Sequence, residues 1–566
     1  MTLPRARRSP GRIAAIAALI AAYAAVTAIM TYPYVNYDDL LGTSYGGDQR
    51  LIIWTLAWDN HALLSGESLF ASNVFHPASD SLRYNEHLFA LSLFTLPLAM
   101  AGASPIMAHH LVWWLTFPLN GLAAYVLYER FVRSPLAAFV GSLAFACSFY
   151  VMLHAHAHLH QIWLWPIPLS LLLLERWFDT PSAPRLGVWT GVVLLAMLTS
   201  WYVAIFILVA NGVFGAVLLL TGTRGASSES GREWTMWRRR TVQLAVAAGV
   251  LALCVYPFAR HYVSMTSSLT EVAGFSADVE AYLIPPENTV IGRLWRDNID
   301  ARPRSPYGEQ TLFLGWLTLG LAAVGLGSVI GNRKIDRRAW LFPALAASGI
   351  LLSFGPSLPV IGPSSLAPFG WLAALPGLDG VRVPARFAVL ATLGLGGLAG
   401  IAAAAIERRL GTRGSVLLVL AVPLILVESF VVDFPAGKPE SHPVPAIYST
   451  PQVRSARALV SLPEYRGMPD WFLGGDYLYY STEHGRPIVN GFGRAEPPGH
   501  AEAVDIVRRF PESVPAIRDL GVQYVVVHGS RFSDGGREIV EAARHRTDCR
   551  LVAQIGSDYL YEILEG

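Results

Sequence analysis

Residues His87–Gly102, HLFALSLFTLPLAMAG, decide how this chain lies in a membrane. The run is apolar but short, holds Pro97, and is bounded by Glu86 and by Ala103-Ser104-Pro105. A helix needs about 20 apolar residues to cross a hydrocarbon core of about 30 Å, so length alone leaves it undecided. Charge resolves it. Six basic segments punctuate the chain: RARRSPGR at the N-terminus, YERFVRS (128–134), ERWFDTPSAPR (175–185), REWTMWRRR (232–240), GNRKIDRR (331–338) and ERRLGTRG (407–414). If 87–102 crosses, the N-terminus is separated from the other five. If it does not, all six fall on one side, as the enrichment of Lys and Arg in cytoplasmic loops requires. The run is therefore read as a re-entrant or interfacial helix. The remaining apolar runs predict eleven spans near 11–33, 106–129, 135–153, 161–177, 185–200, 201–221, 240–258, 311–330, 338–355, 386–406 and 414–433.

Composition agrees with that reading. Of 566 residues, 53% are hydrophobic and only 15% charged, with a mean hydropathy of +0.40; a soluble chain carries roughly a quarter charged residues. A polytopic α-helical membrane protein, integral to the cell membrane with its N-terminus cytoplasmic, is expected. The net charge of +2 gives no basis for a nucleic-acid partner, because the basic residues set topology. Two of the three cysteines, Cys147 and Cys254, lie in apolar runs, so no disulfide framework is suggested. The run Ile13–Met30 lacks a cleavage site and reads as a retained signal-anchor. The outer face then receives 34–105, a turn at 154–160, loops 259–310 and 356–385, and everything from about 435. The division expected is a transmembrane module, 1–434, and a small extracytoplasmic α/β domain, 435–566. The strand-like run VQYVVVH (522–528) and the final CRLVAQIGSDYLYEIL support the latter. No internal repeat or low-complexity tract is evident.

The outer segments collect the polar residues. Asp48 follows two glycines in GGDQ, ahead of the predicted helix RLIIWTLAWDNHALL. Trp54 and Trp58, four apart, share a face and suit the headgroup level. Asp48 reads either as the N-cap of an interfacial anchor or, on a glycine turn, as a carboxylate aimed at a membrane-bounded cleft. HAHAHLHQ sets His154, His156, His158 and His160 at the outer end of a span. Zinc would need three or four converging ligands, which spacing alone does not establish. The preferred role is hydrogen bonding to a phosphate or sugar, by His158 first and His154 next. In LPGLDGVRVPARF (375–387), Arg382 and Arg386 stand on the outer side against the positive-inside trend, and a phosphate at headgroup depth supplies a reason. Asp278, Tyr282 and Glu309 lie in 259–310, and YYSTEHGRPIVNGFGRAEPPGH (479–500) suits an ordered loop folded over a site.

This arrangement resembles the GT-C superfamily of integral-membrane glycosyltransferases. The resemblance rests on the inside N-terminus, the acid early in the first outer loop, the juxtamembrane helices, and a span ending in YERFVR. It also rests on the pattern Gly47, Asp48, Trp54, Trp58, His61-Ala62-Leu63, Leu69-Phe70, Pro77, Leu82 and Glu86. The resemblance implies a GT-C-like fold and a hexosyl-type transfer, with Asp48 matching the family's general base. It further implies a polyprenyl-phosphate-linked sugar donor and a lipid, glycan or protein acceptor. Glu86, Asp278 and Tyr282 join His158, His154, Arg382 and Arg386 as substrate-binding candidates. The family often pairs acids in the first loop and uses acidic metal ligands in the second. Here Gln49 follows Asp48 and the second loop carries histidines, so a divalent metal is possible but not required.

The implied reaction inverts the anomeric carbon. Asp48 takes the acceptor proton, while Arg382, Arg386 and a histidine stabilise the departing phosphate. Single displacement needs one base and no covalent intermediate, unlike the two-carboxylate retaining hydrolases. The rival readings are a transporter or flippase of lipid-linked saccharides and a glycan polymerase or ligase. Transport favours ionisable residues at mid-depth in the spans, which are almost free of charge here.

Overall fold

The structure is a computed structural model and describes residues 10–32, 40–41, 46–222, 230–262, 266–295, 309, 311–359, 361–375, 377–432, 440–441, 443–465 and 474–565. It is predominantly helical, and each of the eleven apolar runs contains a helix. Among the described residues, five helices are long and apolar enough to cross a membrane: Pro105–Val132, Trp201–Thr221, Thr235–Ala259, Pro384–Leu410 and Thr412–Ser429. Ala14–Met30, Pro135–Ala146, Ala183–Met197 and Trp316–Gly331 are shorter apolar helices. The run that opened the sequence question forms Phe89–Met100, 12 residues. At 1.5 Å per residue it is about 18 Å long. The chain is an integral membrane protein with two compact units: residues 1–36, 113–155 and 160–434 in one, and 37–112, 156–159 and 435–566 in the other.

The helical unit is organised around Ala388–Leu410, whose residues 388–404 are all buried. Its sequence, ATLGLGGLAG, is rich in glycine and alanine, the residues that let helix backbones approach where lipid supplies no hydrophobic drive. A Cβ added to Gly141 on the neighbouring Pro135–Ala146 helix would lie 2.5 Å from the carbonyl oxygen of Gly396. Any larger residue forces the pair apart.

Five of the six basic segments meet at one end of this unit. Arg338 donates to Glu175 (3.1 Å) and to both oxygens of Asp179 (2.9 and 2.6 Å). Arg130 reaches the same Glu175 at 3.1 Å, Arg240 bonds the Phe178 carbonyl at 2.5 Å, and Ser134 bonds Glu407. Glu407 is near the C-terminus of the helical stretch that begins at Pro384. Arg386, at its start, is therefore about 30 Å away along the axis, the thickness of a hydrocarbon core.

The second unit contains a four-stranded sheet in the order Leu459–Leu462, Tyr524–His528, Asp558–Ile563, Cys549–Ile555. The first pair is parallel (Leu459 opposite Tyr524) and the others antiparallel, with a register shift at Leu551/Ala553. Val460, Val525, Val527, Tyr561 and Ile563 point into a core completed by Ala503, Val507 and Ile517 from the flanking helices. The hydrogen bonding continues outward. Val489 N–H donates to Leu459 (3.0 Å), Ile488 N–H to Asn73 (2.8 Å), and His76 N–H to Ile488 (2.9 Å). Residues 73–76 are thereby tied to a segment more than 400 positions later. The expected loop 479–500 is helical at its start, because Gly474–His484 forms a helix with Tyr477, Leu478, Tyr480 and Ser481 buried.

Candidate active site

Asp48 lies in the first turn of helix Gly46–Ser65. The sequence reading put it on a glycine turn ahead of that helix, and the helix begins two residues earlier. A carboxylate there is favoured by the unpaired N–H groups and the positive end of the helix dipole. Its Oδ2 is 3.4 Å from Nε2 of His158, with the two side chains 33% and 23% exposed. Both side chains are partly exposed. The tryptophans of the same helix are not headgroup anchors. Trp54 is buried and donates to Asn73 Oδ1 at 3.0 Å, and Trp58 is buried and donates to the Leu69 carbonyl at 2.8 Å. Buried indole N–H groups need partners, and the segment that follows the helix supplies them.

In the helical unit, Arg386 is buried against Glu309, with Nε and Nη2 3.2 and 2.5 Å from Oε1. The guanidinium lies over the Tyr202 ring, 4.6 Å from its centroid. Nε2 of His154 is 3.6 Å from the other oxygen of Glu309, and the His154 ring packs on Tyr150 at 4.5 Å. Two of the expected phosphate ligands thus converge on one carboxylate. The tight turn that makes this possible is Pro384–Phe387, a single 3₁₀ turn before the long helix. Arg382 is more open. It is one-third exposed, 3.4 Å from Glu271 and 5.4 Å from the centroid of Phe275.

The other expected site residues are more scattered. Tyr282 is buried, with its hydroxyl 2.5 Å from Ser353 Oγ, and burial holds that phenol above its usual range. Asp278 is half-buried and caps a turn through its carbonyl, which accepts from Ala281 N–H at 3.2 Å. Glu86 is half-buried. Among the described residues no group of three or more His, Cys, Asp and Glu side chains is arranged to hold a metal ion, and Cys147, Cys254 and Cys549 are free thiols. The competing carboxylates Asp38 and Asp39 lie outside the described residues.

Two features escaped the sequence reading. Asp59, further along the Asp48 helix, is fully buried, and burial raises its carboxyl well above the usual range. Arg50 is buried with its Nε 2.8 Å from Asp476. The recurrence of Gly-Gly-Asp at 46–48 and 474–476 was the available signal for that pairing.

Comparison with known proteins gives a family and a fold. A family described as "Domain of unknown function (DUF6311)" matches residues 88–428, more than half of the chain. No curated protein matches significantly. Among solved structures, the cryo-EM structure of arabinofuranosyltransferase AftD from Mycobacteria aligns over 98% of this chain at TM-score 0.59 and 15% identity. This chain spans 40% of the AftD chain. The apo crystal structure of the Archaeoglobus fulgidus oligosaccharyltransferase aligns over 91% of this chain and 69% of its own, at TM-score 0.52 and 12% identity. ArnT from Cupriavidus metallidurans, bound to undecaprenyl phosphate, aligns over 97% of this chain and 98% of its own at 12% identity and TM-score 0.45. The fold is similar to that of AftD and of the archaeal oligosaccharyltransferase.

Proposed function

The chain belongs to the DUF6311 family and is similar in fold to AftD and the archaeal oligosaccharyltransferase, and on that premise we propose that it is a membrane glycosyltransferase of the GT-C type using a lipid-linked sugar donor. The observation that carries the reading is the Asp48 carboxylate, open to substrate and 3.4 Å from His158. A base must reach the acceptor hydroxyl, and an ordered, partly exposed carboxylate beside an imidazole suits that task.

The donor is a polyprenyl-phosphate sugar, and the acceptor a lipid, glycan or peptide hydroxyl. The acceptor oxygen attacks the anomeric carbon as its proton passes to Asp48. The bond from that carbon to the phosphate oxygen breaks on the opposite face, so the configuration inverts. Negative charge builds on the leaving phosphate, and cations fixed in place beforehand stabilise it without reorganisation. Arg382 is the more available of the two arginines. Arg386 already shares its charge with Glu309, so it contributes by holding the 382–387 turn and by sharing its guanidinium.

The sidedness follows from charge. Five basic segments gather at one end of the helical unit, and the positive-inside bias makes that end cytoplasmic. Arg386, about 30 Å along the axis, is then at the outer headgroup level. Eleven spans and an extracytoplasmic C-terminal region complete this topology.

The test is turnover. Purified full-length protein is incubated with a panel of undecaprenyl-phosphate-linked sugars and a mixed acceptor extract, and release of undecaprenyl phosphate is followed. Release that requires Asp48 supports the reading. No release with any sugar, or release that Asp48→Asn leaves intact, sinks it.

A further inference from the structure

Asp48 is held from behind. The triplet Gly-Gly-Asp occurs at 46–48 and again at 474–476, and each copy opens a helix, Gly46–Ser65 and Gly474–His484. The two helix starts touch backbone to backbone. A Cβ added at Gly475 would lie 2.8 Å from both the Cα and the carbonyl oxygen of Gly47. No side chain larger than hydrogen fits there without moving one helix.

The contact is locked by charge. Asp476 is buried and faces Arg50 Nε at 2.8 Å on one oxygen and Arg531 Nη2 at 2.5 Å on the other. Arg531 also donates to the Tyr480 hydroxyl at 3.0 Å and lies 5.2 Å from the ring centroid of Tyr477. Arg50 is two residues beyond Asp48. On a helix that offset is about 200°, so the two side chains leave the turn in opposite directions. Arg50 enters the buried ion pair, while Asp48 emerges on the open side beside His158.

The geometry points to a positioning role: helix Gly474–His484, through Gly475 and Asp476, fixes the first turn that presents Asp48 to the acceptor. The inference rests on Asp48 being the base. The clamp residues touch no reacting atom; they act only through where Asp48 is held. A displacement of about 1 Å at a reacting group can cost about a hundredfold in rate.

The experiment uses full-length protein and whichever undecaprenyl-phosphate sugar the wild type turns over. Gly475→Ala and Asp476→Asn should each lower kcat about 10- to 100-fold while leaving the donor KM unchanged. Gly475→Ala guards against the case in which the uncompensated arginines of Asp476→Asn prevent folding. Adding either substitution to Asp48→Asn should cause no further loss, because the clamp acts only through that carboxylate. Wild-type kcat in both clamp variants overturns the proposal, and so do losses that multiply with Asp48→Asn. If Asp48→Asn itself keeps full activity, the base assignment fails instead. The clamp is then decided by hydrogen exchange of residues 46–52: faster exchange in Gly475→Ala upholds it, and unchanged exchange overturns it.

Discussion

Asp48 and Asp59 occupy one helix and nearly one face, eleven residues and about three turns apart, yet their surroundings separate their chemistry. Asp48 is open beside His158, whereas Asp59 has no exposed surface and burial favours its neutral form. Asp48→Asn is expected to lower transfer about 10²- to 10⁴-fold with insertion and folding intact. Asp59→Asn, which copies the shape of the neutral acid, should turn over at close to the wild-type rate. Rates measured side by side check both. Loss in an Asp39→Asn control instead would move the base to that residue. Arg386 and Glu309 give a second test. Removing one partner of a buried ion pair leaves the other uncompensated, at about 3–5 kcal/mol. Arg386→Ala should therefore lower thermal stability sharply, and Arg386→Ala/Glu309→Ala should recover much of it. Arg382→Ala should leave stability near wild type and weaken donor binding by about tenfold, as loss of one charged hydrogen bond does. A melting curve and a donor titration on each variant separate the roles. Sequence made the types of these residues legible, since acids, histidines and arginines stood out against apolar spans. It did not reveal that Glu309, 77 positions before Arg386, takes up that arginine's charge, because such a pairing leaves no local pattern.

At the scale of single elements, the helices were readable because an apolar run near 20 residues has few alternatives in lipid. Their interruptions were less so. The predicted span 135–153 is two helices, Pro135–Ala146 and Phe149–His154, with Ser148 accepting from Val151 N–H to start the second. The Gly, Pro and Asn content of the 479–500 segment predicts a loop, yet its start continues the helix Gly474–His484, whose residues 474–481 are all buried. Just before that helix, strand Leu459–Leu462 leads into Glu464, which is buried and accepts from the Asn490 amide. Burial, partly offset by that bond, raises its carboxyl to about 8. The native state therefore keeps a proton that the unfolded chain gives up near pH 4.5. Stability from this group is fully present below about pH 4.5 and is lost as pH rises toward 8. At about 1.4 kcal/mol per unit, the cost at pH 8 reaches a few kcal/mol. Glu464→Gln should raise the melting temperature at pH 8, have little effect at pH 4.5, and flatten the decline between. Parallel melts at the two pH values measure it.

The whole molecule was legible as a class and less so as an assembly. Composition and the six basic segments gave a polytopic membrane protein and one consistent sidedness. A partition of the chain near residue 435 came naturally from hydropathy, whereas compactness groups 37–112 and 156–159 with the C-terminal region. Hydropathy reports which segments leave the lipid and carries no information on which of them then pack together. The sidedness is testable with Cys147, Cys254 and Cys549 replaced by alanine and single cysteines placed at the exposed Arg133 and Arg550. Membrane-impermeant reagent should label position 550 from outside and position 133 only after permeabilisation; labelling of both from one side would overturn the topology.

The bonds between residues 73–76 and 486–490 have a consequence for how the protein is made. Asn73 and its partner Ser481 are 408 positions apart, and at about 5–20 residues per second the ribosome needs roughly 20–80 s to travel between them. Throughout that interval the newly made helix bearing Asp48 lacks both the helix Gly474–His484 that packs against its start and the aspartate that pairs with Arg50. A chain cut short by a premature stop codon anywhere before Gly474 never acquires either. Synthesis of residues 474–531 is thus the step that completes the surroundings of Asp48, and a translation product that stops before them is expected to show no transfer.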